Sequence, residues 1–117
     1  MKARWIRFGE IEIEGVRYGH DVVIDRGKVT KRAKKASKAY RAQFGHTPLS
    51  VDEAIPWGGK RLIIGTGESG SLPIMPGIVE EARRRGVELI AEPTEQALAL
   101  VRDTDAKDVR AVIHVTC

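Results

Sequence analysis

Three stretches of this chain hold residue types at spacings that chemistry could use. The first is Gly65-Thr66-Gly67-Glu68-Ser69-Gly70, a formal G-x-G-x-x-G. It follows the apolar run Leu62-Ile63-Ile64, as a dinucleotide fingerprint follows a strand. Glu92 lies where an acid that binds a ribose hydroxyl would stand. Against that reading, Pro73 and Pro76 delay the next helix, so a pyrophosphate would lose its helix N-terminus. Too little sequence follows for two mononucleotide-binding halves, and a turn explains the pattern better than a nicotinamide site. A weaker claim survives: the backbone N–H groups of Gly65, Thr66 and Gly67, with the hydroxyls of Thr66, Ser69 and Thr94, form a candidate cradle for a small anion.

The second stretch is basic. Lys28, Lys31, Arg32, Lys34, Lys35, Lys38 and Arg41 fall within fourteen positions that hold no acidic residue. Outside them the chain carries 13 basic and 16 acidic residues, so its overall charge of +4 is local. Lys31, Lys34, Lys35, Lys38 and Arg41 form a candidate partner-binding set. An acidic protein or a second copy of the chain would suit it, and nucleic acid is an alternative, with Tyr40 placed to stack on a base. A solvated helix face is the plainer meaning of such a run. The third stretch is the terminal His114-Val115-Thr116-Cys117. Residues three apart on a strand point to opposite faces, so a Cys117–His114 nucleophile pair would require the end to curl.

Other chemistries lack their residues. There is no GxxxxGK[ST] phosphate loop and no GxSxG elbow, and His20, His46 and His114 are far apart with no cysteine at zinc spacing. The sequence calls for no metal, no cofactor and no catalytic set. Cys117 is the only cysteine, so no disulfide can form within the chain, and a reducing cytoplasm is the expected setting. No apolar run approaches the roughly 20 residues of a membrane helix, and no membrane contact is expected.

The elements that position these residues read as an α/β domain spanning 1–117. In the first 25 residues, Ile6 and Phe8, then Ile11 and Ile13 among Glu10, Glu12 and Glu14, alternate as antiparallel strands. Val16–Tyr18 and Val22–Ile24 continue that pattern, and Asp25–Lys28 makes a turn. Thr30–Gln43 reads as a helix with Ala33, Ala36, Tyr40 and Phe44 on one face and the lysines over the rest. Ser50-Val51-Asp52-Glu53 has capping-box form and predicts a short helix over Val51–Ile55. From residue 60 the order is strand, helix, strand, helix, strand. Pro76 opens the first of these helices and Gly86 closes it, and Thr94 is read as the cap of the second. Parallel pairing is expected for Leu62–Ile64 and Val87–Ala91; the direction of the last strand, Val109–Val115, is open.

Taken together, the segments resemble the family of the animal adipogenesis-associated domain protein and a mitochondrial complex I assembly factor, which also holds small archaeal and bacterial proteins. The matching residues are Phe8-Gly9-Glu10-Ile11, His46, Leu62-Ile63-Ile64-Gly65-Thr66-Gly67, Gly86-Val87-Glu88, Thr94-Glu95-Gln96-Ala97 and His114-Val115-Thr116-Cys117. The resemblance implies three layers around a mixed sheet whose last strand runs antiparallel to the others. It also implies a non-enzymatic binding or assembly role. This chain departs from the family at Thr30–Arg41, which is lysine-rich where aromatic residues are frequent, and at Val101-Arg102, where Tyr-Asn is frequent.

Overall fold

Alternating apolar residues in some segments and continuous apolar runs in others underlie most of eight strands, described with the rest of residues 1–117 in a computed structural model. β1 (Ala3–Arg7), β2 (Glu10–Ile13) and β3 (Val16–Tyr18) form an antiparallel sheet in that order. In β2 the alternation is realised directly, because Ile11 and Ile13 are fully buried while the glutamates between them stay partly exposed. The second sheet holds β4 (Val22–Asp25), β5 (Lys28–Lys31), β6 (Arg61–Thr66), β7 (Glu88–Glu92) and β8 (Arg110–His114), in the order β5-β4-β8-β6-β7. β6 lies inside the sheet between β8 and β7, buried from Leu62 to Thr66, which is why Leu62-Ile63-Ile64 is an unbroken apolar run.

Two helices cover this sheet. α2 (Pro76–Arg85) has Pro76 in its first turn and ends on Gly86 in the left-handed region at φ 67°, as the sequence predicts. α3 (Thr94–Arg102) lies on the opposite face. On that face α3, the three-stranded sheet and Val22, Ile24, Ile63, Ala111 and Ile113 share one core. The alternate residues Leu62, Ile64 and Val112 meet Leu49, Leu72 and Ile78 on the other side. The result is an α/β fold of three layers around a mixed central sheet, with a βαβ unit and an N-terminal antiparallel meander. No helix is long and apolar enough to cross a membrane.

Four expectations need correction. The last strand, β8, is antiparallel to β4 but runs parallel to β6, with Ile63 opposite Ala111 and Thr66 opposite His114. A helix-bearing crossover through α3 returns the chain to the starting end of the sheet, and such a connection delivers a parallel strand. The helix expected over Thr30–Gln43 does not form. Lys28–Lys31 pairs with β4 instead, Lys34–Tyr40 is a 3-10 helix, and only Arg41–Phe44 (α1) is α-helical. Its alanines and Phe44 lie at the surface and offer little burial to hold a longer helix, whereas Arg32 and Ser37 are drawn into the protein. Ser50–Glu53 is a turn rather than a capping box: the Ser50 hydroxyl accepts from Asp52 N at 3.3 Å, while Glu53 points elsewhere. Thr94 begins α3 but caps nothing, since Pro93 stands at the cap position.

Candidate functional site

The register of the five-stranded sheet gathers its polar residues at one end. Val22 lies opposite both Lys31 and Ile113, and Thr66 lies opposite His114. The residues just before β4, just after β5 and at the ends of β6 and β8 therefore share one edge. This is the carboxyl edge of the parallel strands, where α/β folds place ligands.

Asp21 is at the centre of that edge. Its Oδ2 accepts hydrogen bonds from Arg32 Nη1 at 2.9 Å and His114 Nδ1 at 2.8 Å, and its Oδ1 accepts from Val115 N at 2.9 Å. Burial pushes the Asp21 carboxyl up, but the His114 hydrogen bond and charge, the Val115 amide and Arg32 together outweigh it and bring it down to about 2. Arg32 is buried and fully engaged. Its guanidinium meets Glu53 in a two-point fork, Nε to Oε1 and Nη2 to Oε2, both at 2.8 Å, and Nη2 also donates to Pro48 O at 3.0 Å. Ser37 donates to Glu53 Oε2 at 2.5 Å and shares a 2.6 Å hydrogen bond with Ser50. The network ties four separate segments together.

On the open side of Asp21, a hydroxyl completes a chain. Thr116 Oγ1 stands 3.1 Å from His114 Nε2. An ionised Asp21 can only accept, so His114 Nδ1 must carry hydrogen. In the neutral ring Nε2 is then the acceptor and Thr116 the donor. A cleft of about 220 Å³ opens here, lined by Gly19, His20, Asp21, Lys31, Arg32, Lys34, Val115 and Thr116. Lys31 and Lys34 are exposed and form no ion pair. Of the five basic residues expected to bind a partner, only these two reach the cleft. Lys35, Lys38 and Arg41 lie exposed along the 3-10 helix and α1.

The glycine loop lies beside this site and is turned inward. Gly67 N donates to Thr94 Oγ1 at 2.8 Å, Glu68 N to Thr116 O at 2.7 Å and Ser71 N to Cys117 O at 2.9 Å. Leu72 N bonds Thr66 O at 3.0 Å. The Thr94 hydroxyl in turn donates to His114 O at 2.6 Å. Glycine is required twice. A Cβ on Gly65 would stand 2.9 Å from Thr94 Oγ1, and one on Gly67, at φ 101°, would stand 2.2 Å from the Cys117 carbonyl carbon. Gly65, Gly67 and Thr94 thus come together around the tail of β8, whereas Ser69 is exposed on the outer side. The loop's amides hold the segment that bears His114 and Thr116.

Sequence reasoning missed Asp21, Arg32, Ser37 and Glu53. One signal was present: Arg32 is the first arginine in a run of lysines, and a planar two-point partner for a carboxylate must be arginine. No group of three or more His, Cys, Asp or Glu is disposed to hold a metal ion.

Among known proteins, no family model matches the chain. The solved structure of a protein designated MT938 is similar at TM-score 0.69 over 98% of this chain and 99% of that one, with 23% identity, and shows the same fold. The crystal structure of PH1505 from Pyrococcus horikoshii OT3, a conserved hypothetical protein, superposes at TM-score 0.76. Because 30% of residues are identical over the full length of both, the chain belongs to the family of that archaeal protein.

Proposed function

We propose that this domain is a binding module for small anionic ligands, carboxylates or phosphates, taken up in the cleft between His20, Lys31, Lys34 and Thr116. One observation carries the reading: two exposed ammonium groups with no ion-pair partner flank a cleft whose floor is already held in a hydrogen-bonded network. Asp21 and Glu53 both turn to Arg32 and pair with neither lysine, so Lys31 and Lys34 remain open to an anion at the mouth. A clamped floor also lowers the ordering cost of binding. The resemblance to the adipogenesis-associated domain family, whose eukaryotic members act as assembly or regulatory factors, supports a binding role. An anionic side chain of a protein partner would use the same lysines.

Isothermal titration of inorganic phosphate and of citrate tests the reading. Binding is expected to weaken as salt rises, and by about tenfold, ~1.4 kcal/mol, in the Lys31→Ala/Lys34→Ala double variant. Equal affinity in both proteins would remove the cleft as the site.

A further inference from the structure

The binding reading leaves one arrangement unused. Thr116 Oγ1, His114 Nε2 and Nδ1, and Asp21 Oδ2 form a continuous hydroxyl–imidazole–carboxylate chain, with contacts of 3.1 and 2.8 Å. This is the geometry that activates a hydroxyl nucleophile: the base lies within reach of the hydroxyl and is itself oriented by a third group. The Asp21 carboxylate is held from three sides, by Arg32, Val115 N and His114, so the imidazole has one orientation and one tautomer. His114 is mostly buried, with 15% of its side chain exposed, while Thr116 lines the open cleft.

We propose that Thr116 is a nucleophile and His114 its general base in the hydrolysis of small anionic esters or thioesters, with Asp21 positioning the imidazole. The choice of an anionic substrate rests on the binding reading above; the nucleophile does not. In the first step Thr116 Oγ forms a bond to the acyl carbonyl carbon as its proton passes to His114 Nε2. The bond from that carbon to the leaving alcohol or thiol breaks, and the leaving group takes the proton from Nε2. Water then gives a proton to the same nitrogen and attacks the threonine ester, releasing the carboxylic acid and restoring the Thr116 hydroxyl. Lys31 and Lys34 hold the substrate's carboxylate or phosphate away from the reacting carbon. A cleft of about 220 Å³ limits the substrate to a short acyl chain.

The test is covalent labelling of the intact protein with diisopropyl fluorophosphate, read by mass spectrometry and peptide mapping. It is paired with turnover of p-nitrophenyl acetate and of the mono-p-nitrophenyl ester of succinate. One adduct on Thr116 is expected, absent in Thr116→Val and slowed about a hundredfold in His114→Gln. The succinate ester should be the better substrate by kcat/KM by about tenfold, a preference lost in Lys31→Ala/Lys34→Ala. For Asp21, a low-field imidazole Nδ1–H proton resonance should be present in the wild type and in Thr116→Val, and absent in Asp21→Asn. No adduct on Thr116, together with turnover equal to that of a folded Thr116→Val, overturns the nucleophile even if phosphate binds. An adduct without preference for the anionic ester upholds the nucleophile and overturns the anion-binding reading instead.

Discussion

Asp21→Asn should remove a measurable part of the acid sensitivity of this fold. Asparagine keeps the shape and can still accept from Val115 N, but it cannot accept from both Arg32 and His114 as Oδ2 does. The native carboxyl is lowered from 3.8 to about 2. A group whose folded pKa is depressed contributes stability that is fully present above its unfolded value. That stability is lost as pH falls through the folded value, here between about pH 4 and pH 2. The difference converts to about 2 kcal/mol. For a domain whose total stability is of order 5–15 kcal/mol, this is a large share. Urea unfolding followed by far-ultraviolet circular dichroism, repeated between pH 7 and pH 2, measures it. Other carboxylates titrate in both proteins, so the comparison isolates Asp21. The wild-type midpoint should fall more steeply, by about 1 M urea over that interval. Parallel profiles for the two proteins would refute the claim that Asp21 is ionised within the folded network.

Two further perturbations probe the same edge. Arg32→Met leaves Glu53 and Asp21 without their buried counter-charge and should cost about 3–5 kcal/mol in urea unfolding. Adding Glu53→Leu removes one orphaned charge and should recover part of that loss, and simple additivity of the two would show that no pair exists. Thr94→Val deletes both the acceptor of Gly67 N and the donor to His114 O, for about 2–3 kcal/mol. Faster hydrogen exchange at Gly67, with unchanged exchange in α2, would confirm that the loss is local.

The strands were legible because their burial is local in sequence. Ile11 and Ile13 alternate with glutamates that the structure leaves at the surface, and Leu62–Ile64 is unbroken because both faces of β6 are covered. Pro76 and Gly86 marked the ends of α2 through constraints that act within one turn. The 30–43 segment defeated the same reasoning. Its helical spacing was real, but pairing of Lys28–Lys31 with β4 and the inward pull on Arg32 and Ser37 are tertiary effects. The site was less legible still. Asp21 and His114 lie 93 residues apart and Arg32 and Glu53 lie 21 apart. No periodicity connects such pairs: the strand order β5-β4-β8 brings Asp21 to His114, and the loop between α1 and β6 carries Glu53 back to Arg32.

That strand order also explains the glycine loop. The loop and the tail after β8 leave adjacent parallel strands at the same edge, so they compete for the same space above the sheet. The absence of side chains at Gly65 and Gly67 lets them interlock: the Thr94 hydroxyl links Gly67 N to His114 O, and Glu68 N and Ser71 N bind the carbonyls of Thr116 and Cys117. The tail is therefore fixed from one side by backbone amides of the loop and from the other by Asp21, which accepts from both the Val115 amide and the His114 ring. Clamped in this way, His114 and Thr116 cannot extend away as a free strand end, and the imidazole meets the hydroxyl two residues on. A motif that looks like a phosphate cradle in sequence turns its amides to the tail and acts as the clasp that holds His114 between Asp21 and Thr116, with Thr116 at the cleft.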